Sequence, residues 1–231
     1  MEVVLVSHTP EPEKLVASAA RLCYSKSNIS EIIKNISVSK IEQRIKDCYK
    51  KGHLSVFEHV TFTFGVEGIS RIATHQLVRH RIASFSQQSQ RYVNLKEGAS
   101  FIVPNSIKNN AKAYKAFVKH LENSEEIYGH LVDNGIESED ARFVFPQAVE
   151  TKLLLTMNAR ELFHFFNLRC CKHSQWEIRS LAYRMLSLAK KASHIIFENA
   201  GPFCFSGKCP ENDVDCFERT KNGRVIGNAD E

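Results

Sequence analysis

The chain has no run of apolar residues approaching the roughly twenty that a helix needs to cross a bilayer. Its start, Met1-Glu2-Val3-Val4-Leu5-Val6, lacks the basic opening and long apolar stretch of a secretory signal. No membrane partner is expected, and the expected location is the cytoplasm. Gly-x-Gly-x-x-Gly is missing, and so is a Walker-type loop, because Gly201 and Gly207-Lys208 are spaced one residue too far apart and no hydroxyl follows. Any nucleotide must therefore be held by side chains rather than by a glycine loop. The cysteines are odd in number: Cys23, Cys48, Cys170, Cys171, Cys204, Cys209 and Cys216. The first four lie in apolar helical patterns, where a thiol packs as a small hydrophobe, which fits a reduced compartment. None lies where a basic environment would favour its thiolate, so no cysteine is expected to be a nucleophile.

Acid is the other shortage. Between Gly68 and Lys96 there is no Asp or Glu, yet the segment holds Arg71, Arg79, Arg81, Arg91 and Lys96 beside His75 and His80. The whole chain is only +5, so its positive excess is concentrated here. Arginine presents a planar fork of donors that matches phosphate oxygens two at a time, and Ser84, Ser86, Gln87, Gln88 and Ser89 add hydroxyls and amides around it. A solvated basic surface is the bland alternative. The interleaved Leu77, Val78, Ile82, Ala83 and Phe85, and the absence of lysine before Lys96, favour anion binding. A second scarcity points the same way. Arg169 falls on the apolar face of a helix beginning near Ala159, and Glu161 is the sole acid between Thr151 and His173. A buried guanidinium needs an acid or a ligand. Arg160 and His164, four residues apart, share another face of that helix.

At 231 residues, 43% hydrophobic and 25% charged, the chain is no disordered polymer and can bury a substantial core. Val3–Val6 reads as a strand and Pro10–Tyr24 as a helix. Ser39 with Glu42 reads as a capping box for a helix striped by Ile41, Ile45 and Cys48 and stopped at Gly52. Val60, Phe62, Phe64 and Val66 alternate as a strand, and Ser70 caps a helix running to about His80, on which Gln76, Arg79 and His80 would share a face. A polar loop or turn over Ser84–Ser89, a strand over Ala99–Val103, and one or two helices over Asn110–Val132 follow. Then come a short helix from Ser138, a strand over Thr151–Met157, a capping box at Asn158 and Glu161, and a helix from Gln175 holding its period through Ile195 until Gly201-Pro202. No linker divides the chain; residues 1–205 read as one domain and 206–231 as a mobile tail.

Metal patterns are poor. His53 with Glu58-His59 has the wrong spacing for helical metalloprotease motifs, and Cys204-x4-Cys209-x6-Cys216 is a weak match to the paired, closely spaced cysteines of zinc sites. No metal is expected.

Arg79-His80-Arg81, seven residues, Ser89, then Arg91-Tyr92 resembles the signature of the flavin-dependent thymidylate synthases. Ala20-Arg21-Leu22-Cys23-Tyr24, Gly52-His53 with Phe57-Glu58-His59, Asn158-Ala159-Arg160 with Asn167-Leu168-Arg169, and Gln175-Trp176-Glu177-Ile178 extend the resemblance along nearly the whole chain. It implies an α+β fold, with a mixed, mainly antiparallel sheet flanked by helices, forming the single-domain subunit of a homotetramer whose active sites lie between subunits. It implies FAD, reduced by NADPH, and methylation of dUMP with carbon from methylenetetrahydrofolate. FAD would meet Ser55, Arg79, His80, Arg81, Gln87, Asn158, Arg160 and His164. The substrate dUMP would meet Gln76, Arg79, Gln87, Gln88, Ser89, Gln90, Arg91, Arg142 and Arg169, with Arg169 catalytic at the pyrimidine. Ser86 is often Asn in such enzymes, Gln87 stands where some have Glu, and His164 replaces an Asn. The rival from another class is a nucleic-acid-binding module using Arg79–Arg91, disfavoured because the charge is local rather than spread along a surface.

Overall fold

The computed structural model describes residues 1–34, 36–96, 98–206, 209–212 and 216. Strands β1 (Glu2–His8), β2 (Thr61–Ser70), β3 (Ala83–Gln87) and β4 (Glu150–Asn158) form one antiparallel sheet in the order β1-β2-β4-β3. The class is α+β, as the sequence reading had it. Period-two burial explains the inner strands: Phe62, Phe64 and Val66 are buried on β2, and Thr151, Leu153, Leu155 and Met157 on β4. The helices are α1 (Pro12–Leu22), α2 (Ile29–Lys34), α3 (Val38–Lys50), α4 (Arg71–Leu77), α5 (Asn105–Lys108), α6 (Ala111–Asp133), α7 (Ser138–Ala141), α8 (Ala159–Arg169), α9 (Trp176–Ala192) and α10 (His194–Phe197).

Several local expectations are corrected. The segment Ser84–Ser89 is mostly strand: Ala83, Phe85 and Gln87 alternate with the more exposed Ser84 and Ser86, a period only five residues long set in a Ser- and Gln-rich stretch. Ala99–Val103 is no strand; it contributes the single bridge of Phe101 to Val149. Helix α3 is entered from Ser37 rather than Ser39. Helix α4 stops at Leu77, so Gln76, Arg79 and His80 do not share a helical face. The stretch 54–59 is a 3-10 helix. Strand β2 runs on through Gly68, whose φ of +71° suits glycine and whose missing Cβ would come 3.0 Å from Met1 Cα. Of the expected tail, residues 207, 208, 213–215 and 217–231 lie outside the described residues, while Phe203–Ser206 forms a 3-10 turn and Cys216 is buried.

The chain clusters into two compact units. One comprises Met1–Glu2, Val66–Arg79 and Phe85–Leu154; the other comprises Val3–Gly65, His80–Ser84 and the chain from Leu155 onward. Most of these boundaries fall inside β2, β3 and β4, which explains why no linker composition marks them. In the first unit, Tyr128 is fully buried on α6, its ring 4.7 Å from Phe145, and its hydroxyl accepts from the Leu95 backbone N–H at 3.3 Å. In the second, Phe57, Phe62, Phe163, Phe166 and Phe197 form a chain of ring contacts with centroids 5.2–6.1 Å apart.

That second unit also shows why the last helix breaks before the period does. The Glu13 carboxylate on α1 accepts from Ser193 Oγ at 2.9 Å and from the Ile195 backbone N–H at 2.8 Å. It thereby satisfies an N–H that a new helix start leaves open, and α9 ends so that α10 can begin. Glu13→Ala removes both bonds and is expected to lower unfolding stability by about 1–2 kcal/mol in urea denaturation. A loss below about 0.3 kcal/mol would show that Glu13 does not set this junction.

Candidate active site

One cluster lies in the second unit and begins with a cap. Asn158 at the end of β4 accepts the Glu161 backbone N–H through Oδ1 at 2.9 Å, starting α8. The capping box expected here is only half made, because the Glu161 side chain is drawn to His80. Glu161 is 6% exposed and His80 3%, and His80 Nδ1 lies 3.0 Å from Glu161 Oε1. Eight residues on from Glu161, Arg169 donates from Nε to His80 Nε2 at 3.1 Å. A guanidinium N–H can only donate, so His80 Nε2 must accept. The ring is therefore the neutral tautomer with its proton on Nδ1, donated to the carboxylate. Electrostatics agree: burial, then the Arg169 and His164 charges, push the His80 pKa down to about 4. Burial also pushes the Glu161 carboxyl up, with His164 acting the other way.

His80, Glu161 and His164 place potential metal ligands within 4.8 Å of one another, the one such group of three among the described residues. Both His80 nitrogens are already engaged, however, so His80 has no lone pair to offer a metal. His164 is exposed, its ring centroid 5.6 Å from that of His80. Arg160 is exposed and paired with Glu58. Ser55 and Arg81 are exposed, and among the described residues no ion-pair partner is seen for Arg81.

The first unit brings most of the other expected residues together. Gln87 donates from Nε2 to Thr74 Oγ1 at 3.3 Å and Thr151 Oγ1 at 3.2 Å, which orients its amide with the carbonyl oxygen as acceptor. The Gln88 backbone carbonyl accepts from Arg71 Nη2 at 3.1 Å. Arg71 is half-buried, and its Nε is buried without a hydrogen-bond partner. Burial and the neighbouring Arg142 charge both lower the Arg71 pKa. Arg142 in turn donates from Nε to the Glu139 carbonyl at 2.9 Å. Gln90 Nε2 is likewise buried without a partner. Ser89 Oγ accepts the Arg91 backbone N–H at 3.2 Å, and the Arg91 side chain pairs with Glu139. Gln76 is half-buried and Arg79 exposed, again with no ion-pair partner seen for Arg79 among the described residues.

Arg71 Nε and Gln90 Nε2 are buried donors without acceptors, and the Arg71 and Arg142 charges oppose each other, an arrangement in want of acceptor oxygens. It fits an anion carrying several acceptor oxygens, such as a nucleotide phosphate or a diphosphate. The same geometry weakens the nucleic-acid alternative. Glu139 lies beside Arg91 and Asp133 beside Lys96, so acids interrupt what would otherwise be a continuous phosphate tract. Two important side chains were not read as site residues from the sequence. Glu161 stood out only as the sole acid near Arg169, and Arg71 only as one arginine of the basic run.

These features define an α+β protein whose candidate anion site is made of arginine side chains rather than of a glycine loop. The family described as thymidylate synthase complementing protein matches residues 4–193. A flavin-dependent thymidylate synthase of Geobacter sulfurreducens is 51% identical over 227 residues, covering 98% of each chain. One of Pyrococcus furiosus is 41% identical over 232 residues, covering 96% of this chain and 95% of that one. Among solved structures, the UMP/dUMP methylase PolB of Streptomyces cacaoi, bound with 5-Br dUMP, superposes with a TM-score of 0.77 at 27% identity, over 85% of this chain and 93% of that one. The chain belongs to the flavin-dependent thymidylate synthase family.

Nitrogen NMR of the folded protein is expected to show His80 neutral at pH 6, protonated on Nδ1, and titrating near 4. Because its folded pKa lies below the 6.5 ordinary for histidine, His80 favours the folded state above pH 6.5 and loses that contribution as pH falls towards 4. A His80 resonance that titrates near 6.5 would contradict the assigned tautomer.

Proposed function

We propose that this protein makes dTMP from dUMP, with methylenetetrahydrofolate as carbon donor and with FAD, reduced by NADPH, as the source of hydride. The observation that carries this reading beyond family membership is the half-buried Arg71, its Nε unsatisfied and its guanidinium close enough to Arg142 for the two charges to oppose each other. The phosphate dianion of dUMP offers the oxygens these groups lack. Gln76, Arg79, Gln87, Gln88, Ser89, Gln90, Arg91 and Arg142 are assigned to dUMP, with Gln90 Nε2 a further donor in need of an acceptor. The ion pair of Arg91 with Glu139 is solvent-exposed, and such pairs contribute about 0–1 kcal/mol, so Arg91 can exchange partners.

FAD when bound supplies the hydride chemistry; the chain's own residues bind and orient it. Arg79 and Arg81, exposed and without acid partners among the described residues, suit a diphosphate. Arg160 joins them by giving up Glu58. Ser55, Gln87 and His164 offer polar contacts, and Asn158 offers its Nδ2, its Oδ1 being taken by the helix cap. His80 has no ring nitrogen to spare, so beside FAD its part would be to position Arg169.

Arg169 is assigned to the pyrimidine, where a fixed guanidinium stabilises negative charge that develops on the ring as hydride arrives. Glu161 acts one step back as a positioning residue, holding the His80 tautomer that accepts from Arg169. With the active sites completed between chains, the working form is a homotetramer, placed in the cytoplasm.

The purified holoprotein should be yellow and should convert dUMP to dTMP with NADPH and methylenetetrahydrofolate. Arg169→Lys keeps the charge but loses the planar fork, and is expected to lower turnover by about 100-fold or more while changing FAD affinity by less than about threefold. Arg160→Lys should do the reverse, weakening FAD while sparing the rate at saturating cofactor. FAD titration and dTMP assay of both variants check this. Parent-like turnover in Arg169→Lys would remove Arg169 from the pyrimidine.

A further inference from the structure

The cysteines of the chain's end are not used by the chemistry above, yet the fold collects them. In the second unit a cavity of ≈130 Å³ is lined by Cys171 and His173 from the turn after α8, and by Cys204, Cys209 and Cys216 from the segment after α10. Four thiols and an imidazole on one small cavity are a dense set of soft ligands, and Cys216 is buried there at 7% exposure. By contrast, Cys23 and Cys48 lie elsewhere in the chain and do not line it. Along the sequence the last three cysteines look incomplete as a metal motif. The fold supplies what spacing cannot show, a fourth thiol at Cys171 about thirty residues upstream of Cys204.

We propose that this cavity is a structural zinc site, with the thiolates of Cys171, Cys204, Cys209 and Cys216 as its four ligands. Zinc takes four thiolates in a tetrahedron with Zn–S distances of about 2.3 Å, and Cys204-x4-Cys209 is within the spacing that zinc pairs use. His173, on the same wall, is placed to donate an N–H to a ligating sulfur, as groups around such sites do. No group of three of these ligand atoms lies within 4.8 Å among the described residues. Binding therefore draws the sulfurs inward, and part of the energy of ligation goes into that movement. On binding, each thiol loses its proton to solvent and the metal stays divalent, so no redox step is involved.

The anchor side of the site is already held in place. The turn is fixed by Ser174 Oγ donating to the Leu168 carbonyl at 2.7 Å, by Tyr183 donating to the Cys170 carbonyl at 3.0 Å, and by Arg179 Nη1 donating to the Lys172 carbonyl at 3.1 Å. Cys171 stands two residues after Arg169, the last residue of α8. Zinc at this point clips the end of the chain to the helix that carries Arg169.

The test uses the full chain, purified without a histidine tag under reducing conditions, with zinc measured by mass spectrometry after exhaustive dialysis. About one zinc per chain is expected, and replacement by cobalt should give the intense thiolate-to-metal absorption of a tetrahedral sulfur site. Cys204→Ser and Cys209→Ser should retain less than about a tenth of the metal, whereas Cys23→Ser and Cys48→Ser retain it. Circular dichroism of each variant separates loss of metal from loss of fold, and the cobalt spectrum of the parent stands apart from any variant. Substoichiometric zinc in the parent, iron with acid-labile sulfide in its place, a disulfide among these cysteines, or equal retention in Cys204→Ser and Cys23→Ser would overturn the proposal. None of these readouts depends on dTMP synthesis.

Discussion

The hydrogen bond from Arg169 Nε to His80 Nε2 is the constraint from which the site is built. It is a bond between a cation and a group that could itself be a cation, so it exists only while His80 is neutral. Burial disfavours a charged ring, and Glu161 behind it binds the Nδ1 proton and leaves Nε2 as acceptor. The carboxylate is itself buried, and a buried carboxylate without a partner is expensive by several kcal/mol. Each of the three groups is placed where it would be unfavourable without the next. Together they hold a guanidinium in one orientation at the end of α8.

The donors assigned to the two ligands differ in character between the two units. In the first, buried donors are left unsatisfied at Arg71 and Gln90, so affinity there comes from filling a need that the folded chain carries with it. In the second, Arg81 and Arg160 are exposed and adaptable, and Arg160 is held meanwhile by Glu58. A small dianion suits the first arrangement, and a long cofactor with a diphosphate suits the second. The chain end, with its thiols gathered against the turn after α8, adds a third kind of chemistry that serves order rather than turnover.

Much of this was legible in the sequence, and the failures have physical causes. The strands β2 and β4 and the helices α1, α6, α8 and α9 announce themselves through hydrophobic period, and Ser70 and Asn158 cap as their residue types predict. The family signature at Arg79–Tyr92 was visible as an acid-free, arginine-rich run. Strand β3 escapes the reading because it is only five residues long and lies in a Ser- and Gln-rich stretch, and the break between α9 and α10 because Glu13, which bonds to it, is 180 residues away from Ser193. The partnership of His80 with Glu161 spans 81 residues, and spacing carries no signal at that range. The same holds for Cys171 and Cys216: ligand sets assembled from distant segments become visible only in the fold.

The central claim, that Glu161 acts on Arg169 through His80, is tested most directly by a double-mutant cycle on dTMP turnover with Glu161→Ala, Arg169→Lys and the pair. If the three groups form one unit, removing Glu161 once Arg169 has been replaced costs little further, and the double variant turns over within about twofold of Arg169→Lys alone. Losses that multiply, with the double variant slower by the full product of the two single effects, would mean that Glu161 and Arg169 act independently and would contradict the account.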